Sequence, residues 1–384
     1  MAIEIPLKEE QVMLKKMARD FLATEAPKTF VRKMMADEVG YDKDLWNKMA
    51  GLGWQGLVFP EEFGGSAMSF RDLSILSEEM GRAVLPGPFY STVILVGLPL
   101  LEFGTEAQKK EFLPKIANGD IACTLAVLEE SGDLYADDLH FKAQRRGNEY
   151  VFNGTKLFVT DAKAADYMLV AARTKRTPNP EEGITLFLIN AKTWGIWIKN
   201  MNVMDQTRKQ YEVRFANVAV PASNIVGELD KGWPIIQKIA MKAKAILSAE
   251  MVGVSEMAAE MTVDYLKNRQ AFGVVIGTFQ ALKHKAADMY VANEYSRSLM
   301  EWACECIKEN SEDAEMAVAM AKSYCGDSVK FVTDAGVQLL GGIGFTWDHD
   351  MHLYFKRGRF YDTAFGDSNV QKDWIASKLE SNIM

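Results

Sequence analysis

A chain of 384 residues with 44 Lys and Arg against 52 Asp and Glu, net charge −8, is too long for one ordinary core and has no basic footprint for nucleic acid. With 48% hydrophobic and 25% charged residues and no low-complexity tract, it reads as two or three packed globular units. Four cysteines are too few for a disulfide framework, so a reducing compartment and a cytoplasmic location are expected.

The N-terminus "MAIEIPLKEEQ" has neither a signal-peptide apolar stretch nor the Arg-rich, acid-poor character of a transit peptide. From Leu7 to about Lys115 apolar residues recur at helical spacing, as in "QVMLKKMARDFLATEA" and "RDLSILSEEMGRAV", with breaks at "FPEEFGGSAMS" and "LPGPF". An all-α domain over 1–118 is expected. The longest apolar run, "STVILVGLPLLEFG", is too short for a membrane span and carries Gly and Pro. From Ile121 to about Val226 the pattern turns β-branched and aromatic, in "YVFNGTKLFVT", "YMLVAAR", "GITLFLIN" and "YEVRFANVAV". No long helical pattern separates these strands, which predicts an antiparallel β domain over 119–228. After "VGELDKGWP" the spacing is helical to the end, in segments long enough to build a bundle over 229–384. The order is α, then β, then α.

No phosphate-binding loop and no H-E-x-x-H is present. Cys304 and Cys306 lie two apart on a helix and point to different sides, so buried thiols are expected rather than a metal pair. His349 and His352 lack a third ligand at short range, and no metal site is expected. In "NRQAFGVVIGTFQ", Arg269 and Gln270 end a helix, Phe272 and Gly273 turn the chain, and Gln280 opens the next helix. That is an ordinary interhelical loop or a guanidinium set out for a pyrophosphate. In "QLLGGIGF", Gln338 stands beside Gly341 and Gly342, where side-chain-free backbone either approaches a ligand closely or caps a helix.

These motifs, with "GWQGLVFPEEFGGSAMS", "FNGTKLFVTDAKAADYMLVAAR", "VPASNIVGELDKGW" and "GVQLLGGIGFTWDH", make the chain resemble the acyl-CoA dehydrogenase family of flavoproteins over essentially its whole length. The resemblance implies an α+β multidomain fold: an N-terminal helical domain, a middle β-barrel-like domain and a C-terminal four-helix bundle. It implies FAD, with Phe158 and Thr160 of "LFVT" beside the flavin ring. Arg269, Phe272, Gln280, Gln338, Gly341 and Gly342 would reach the ADP half of a neighbouring subunit's FAD. It further implies dehydrogenation of an acyl-CoA thioester, an electron-transfer flavoprotein as electron acceptor, and a homotetramer.

At the base the match fails. Most relatives carry a catalytic glutamate in a "YEGT" segment, which falls on Ala364 to Asp367 and puts Phe365 in the glutamate's place. A smaller branch carries it in a Glu-Arg pair, which falls on Ala243 and Lys244. The "LTEP" stretch reads "VLEES", with Leu128 in place of the threonine, and Lys356, Arg357 and Gly358 replace the usual Arg-Asp-Ala. Three readings follow. A relocated base would be Asp367, two residues past the vacant slot, or Glu250, two helical turns past Ala243 and about 10 Å along the axis, too far to replace the glutamate directly but in reach of a proton farther along a large acyl group. Asp367 is equally a helix N-cap ahead of "SNVQKDWIASKL". Tyr90 and Ser91 are weaker candidates. Alternatively the chain is a base-less FAD-binding subunit of an α2β2 assembly, or a redox-neutral lyase or hydratase of a CoA thioester. A bulky, cyclic acyl group suits the first two.

Overall fold

The computed structural model describes residues 6–383 and divides the chain into two compact units. One holds residues 6–32, 69–85 and 244–383; the other holds 33–68 and 86–243. Among the described residues no helix is long and apolar enough to cross a membrane.

The second unit is built around a sheet of eight strands: β1 (Cys123–Ala126), β2 (Lys142–Arg146), β3 (Glu149–Thr160), β4 (Tyr167–Arg173), β5 (Ile184–Asn190), β6 (Ile196–Asn200), β7 (Gln210–Pro221) and β8 (Ile225–Val226). The order is β6-β7-β3-β2-β4-β5-β8, with β1 beside β4. Most pairings are antiparallel, as the absence of intervening helices predicts, but β1 runs parallel to β4 from Cys123 opposite Tyr167 to Ala126 opposite Val170. The strand reading had no place for this pair. The chain between them makes a hairpin, β2 with β3, rather than a helix, so parallel pairing arises without a helical crossover.

Alternation along these strands buries Phe141, Tyr150, Phe152, Phe187 and Phe215 in one core. Phe152 meets Phe187 edge to face at 5.0 Å, an arrangement that favours the ring quadrupoles. The lysine of "NGTKLFVT", Lys156, is fully buried there. Its Nζ donates to Val127 O at 2.9 Å and Glu129 Oε1 at 2.8 Å, and the same carboxylate accepts from the His140 and Phe141 amides. Burial pushes the Lys156 ammonium down to about 8, against the upward pull of Glu129.

The first unit is helical. The helix Phe70–Ala83 starts on a capping box between Ser69 and Asp72, and the long members are Gln280–Lys308, Ala314–Leu340 and, from residue 244 on, the helix Gly232–Asn268. Two glycines bring helices into backbone contact: a Cβ on Gly81 would lie 2.1 Å from Glu250 O, and one on Gly253 1.9 Å from Glu78 O. Around this crossing Glu78 binds Lys15 at 2.7 Å and Arg297 at 2.9 Å. Burial alone would raise the Glu78 carboxyl, yet Arg297 and Lys15 outweigh it and hold it below the ordinary value. The C-terminal bundle ends in two helices, Met351–Thr363 and Ser368–Ile383, with Phe365 and Gly366 at φ of 59° and 88° between them.

Candidate active site

The break falls on the segment where the family's base is expected. Phe365, expected in the glutamate's place, is half-buried and left-handed, a conformation that costs a bulky residue about 1 kcal/mol or more and needs surrounding support. That support comes from Lys322, fully buried, whose Nζ donates to Asp362 O at 2.6 Å and Gly366 O at 3.1 Å. Gln371 adds bonds from Nε2 to Phe365 O at 3.4 Å and Gly366 O at 3.2 Å, while its Oε1 accepts from Lys244 Nζ at 3.2 Å. Burial drives the Lys322 ammonium down to about 7, with Asp362 and Asp367 pulling it up and Lys244 pushing it further down. Burial likewise lowers Lys244. Lys322 went unnoticed in the sequence; its only signal is one cation among small and apolar residues in "AVAMAKSYCG".

Asp367 is the cap rather than a free carboxylate. Its Oδ1 accepts from the Asn369 and Val370 amides, each at 3.0 Å, at the start of Ser368–Ile383. Asp367→Ala is therefore expected to destabilise the fold by about 1 kcal/mol, a typical cap loss, and Asp367→Asn by less, measured as denaturation midpoints.

Glu250 sits in Gly232–Asn268, 1% exposed, against the Gly81 crossing. Its Oε2 accepts a short hydrogen bond from the Tyr361 hydroxyl. Arg357 Nη1 donates to that hydroxyl oxygen at 2.9 Å and to Leu85 O at 3.2 Å, and the guanidinium is fully buried. Tyr361 lies four residues before Phe365, so this bond joins the helix of Glu250 to the one that leads into the Phe365 segment. Sequence reading found Glu250 but not Tyr361 or the part played by Arg357. Tyr90 and Ser91 open a wide π-type turn, Tyr90–Gly97, every residue of which is buried. Ser91 Oγ donates to Asp161 Oδ2 at 2.8 Å, and Arg208 lies over the Tyr90 ring at 5.0 Å. Both are engaged in the sheet-bearing unit.

The residues expected around FAD fall into two groups. In the sheet-bearing unit β3 bulges between Lys156 and Val159, which turns Phe158 to φ 54°. A bulge re-aims a side chain and is a recurrent device beside active sites. Thr160, two residues on, is 8% exposed and its carbonyl accepts from Thr124 Oγ1. In the helical unit the helix ends at Asn268, two residues before Gln270, which instead opens a two-residue strand paired with Val274–Val275. Phe272 and Gly273, both at positive φ, make the hairpin turn, and Phe272 is 93% exposed. Arg269, Gln280 and Gln338 are exposed, and none of their side chains has a hydrogen-bond or ionic partner among the described residues. A Cβ on Gly341 or Gly342 would meet nothing within 4 Å. Spare donors, an open aromatic face and bare backbone fit a group with a pyrophosphate and a planar ring.

Three family models match in order: "Acyl-CoA dehydrogenase, N-terminal domain" over residues 8–120, "middle domain" over 129–218 and "C-terminal domain" over 230–380. A 3-(aryl)acrylate reductase of Clostridium sporogenes is 29% identical over 382 residues, covering 97% of this chain and 98% of the relative. The butyryl-CoA dehydrogenase structure from Megasphaera elsdenii aligns at TM-score 0.90 and 27% identity, over 98% of this chain and 100% of that one. A steroid acyl-CoA dehydrogenase variant, Tcur3481-Tcur3483, aligns at TM-score 0.85 and 27% identity, over 98% and 99%.

Proposed function

The chain belongs to the acyl-CoA dehydrogenase family, a flavoenzyme with FAD as cofactor, and from that premise we propose that it dehydrogenates a bulky, ring-bearing acyl-CoA thioester with Glu250 as base. The supporting observation is the Tyr361–Glu250 bond, which joins a buried carboxylate to the helix that leads into the Phe365 segment. Asp367 is committed to its helix cap, leaving Glu250 the stronger of the two candidate bases. Ring-bearing substrates are named for two of the similar proteins, the aryl acrylate reductase and the steroid enzyme.

When bound, FAD supplies the hydride acceptor. Phe158 and Thr160 would flank its ring, and Arg269, Gln280 and Gln338 would reach the ADP half of a neighbouring subunit's FAD through their spare donors. In this reading Glu250 takes a proton farther along the large acyl group, with Arg357 and Tyr361 fixing the carboxylate's orientation so that little is lost to reorganisation. The three-way division at 118/119 and 228/229, a homotetramer, an electron-transfer flavoprotein as acceptor and a cytoplasmic location belong to the same proposal. The exposed Phe272, Phe345 and Trp347 on the helical unit suit burial against a second copy.

The test is anaerobic mixing of the FAD-loaded protein with a panel of CoA thioesters. Bleaching of the flavin by cyclic or aryl thioesters, and weaker bleaching by butyryl-CoA, is the expected result. Product without bleaching would move the chain to the redox-neutral reading. Bleaching seen only after co-expression with a second subunit would move it to the base-less reading.

A further inference from the structure

β2 and β4 run parallel but meet at one register position, Lys142 opposite Arg173. Beyond it β2 stays with β3 as far as Arg146 opposite Glu149, while the chain leaving β4 turns away, its Thr174 and Lys175 amides bonding Gly183 O at 2.8 and 3.2 Å. The divergence opens a groove of about 610 Å³, within the size range of small-molecule sites. Five cations line it, Lys142, Arg145, Arg173, Lys175 and Arg176, and no carboxylate does. In a chain of net charge −8 this is a local reversal of sign.

Arg173 is the most buried of the five. Its Nε donates to Leu139 O at 2.8 Å, Nη1 to Pro180 O at 3.0 Å and Glu182 O at 2.9 Å, and Nη2 to Ala136 O at 2.6 Å. Four carbonyls therefore lock the guanidinium in place without cancelling its charge. The carboxylates that act on it, Asp137 and Glu129, lie outside the lining. Lys142, Arg145, Lys175 and Arg176 are exposed, and none has an ion-pair partner among the described residues. Gln144 and Asn153 add amide donors, and past Lys142 the outer edge of β2 has no strand partner.

We infer that this groove binds a small polyanion carrying two or more linked phosphates. The locked guanidinium supplies a fixed charge at no cost in ordering, and the unpaired rim cations are spared the loss of existing ion pairs when phosphate arrives. Concavity favours a compact phosphate chain over a protein surface, which needs a broader contact. Cations also protect exposed strand edges from unwanted pairing, but that role needs neither a concave site nor saturable binding.

The FAD-loaded protein, kept in excess FAD so that the flavin's own phosphate site is filled, is titrated calorimetrically with inorganic tripolyphosphate and, separately, with ATP. One saturable site per chain is expected, weakened at least tenfold by Arg145→Glu with Arg176→Glu and unchanged by Lys231→Glu, an exposed cation outside the groove. Equal binding of the two ligands assigns recognition to the phosphate chain alone; tighter binding of ATP adds the nucleoside. The inference is overturned by the absence of saturable heat, by equal weakening from Lys231→Glu, or by binding of a polyglutamate peptide in place of both phosphates.

Discussion

Glu250→Gln is expected to slow substrate-dependent flavin bleaching at least about 100-fold, the lower bound of what a positioned general base contributes. The flavin absorbance of the purified variant should match the native protein's, since Gln keeps the shape and can still accept from the Tyr361 hydroxyl. Tyr361→Phe should give a smaller loss, because the carboxylate stays but loses the phenol that orients it. Arg357→Met would instead strand a buried carboxylate beside Tyr361, and unfolding would obscure any kinetic effect. Stopped-flow bleaching at saturating thioester separates these outcomes. A native rate in Glu250→Gln removes Glu250 as base and leaves proton abstraction to a partner subunit or to water.

The second large effect concerns Lys322 and is one of stability. In the folded chain burial holds its ammonium at about 7, against an ordinary value of 10.5. Between those values the unfolded chain binds a proton that the folded chain does not, so stability rises with pH. From pH 7 to 8.5 that gain is about 2 kcal/mol for one lysine, at about 1.4 kcal/mol per pH unit. Lys156 and Lys28, both pushed by burial down to about 8, add in the same direction. The buried thiols Cys304 and Cys325, raised by burial to about 12, oppose it only above their ordinary value of 9, which sets the upper end of the window. Lys322→Met is therefore expected to flatten the rise in denaturation midpoint between pH 7 and 8.5 to what Lys156 and Lys28 supply. It should also lower the midpoint at pH 8.5, because Asp362 O and Gly366 O lose their donor, at about 1–3 kcal/mol for each buried carbonyl left unpaired. An unchanged pH slope in the variant would mean that Lys322 is not the group that titrates.

The two effects meet on one segment. Phe365 is held in a left-handed conformation by bonds from Lys322 and Gln371, and Tyr361, one turn earlier, is bonded to Glu250.

Much of this was legible in the sequence. Period 3.6 spacing marked the helices of residues 7–115 and beyond 229, and period 2 alternation marked the strands between, because both record which side of an element meets the core. Glycine and aromatic punctuation placed the hairpin at Phe272 and Gly273, and the motif blocks identified the family. The expectation that Ala243 and Phe365 stand where relatives keep a glutamate rests on the same blocks, because it is a statement about residue identity at a position. What the tertiary structure alone decided depends on which residues, distant along the chain, come together. The parallel pairing of β1 with β4 joins segments 44 residues apart, from Cys123 to Tyr167, and leaves no mark on local periodicity. Asp367 could be read as base or cap, and only the amides of Asn369 and Val370 settled its oxygen on the cap. Glu250 could be counted two turns from Ala243, but its bond to Tyr361 spans 111 residues. Sequence determines each element's buried face locally; the partner of a buried charge is set by packing, because low dielectric makes an unpaired charge costly wherever along the chain its partner is found.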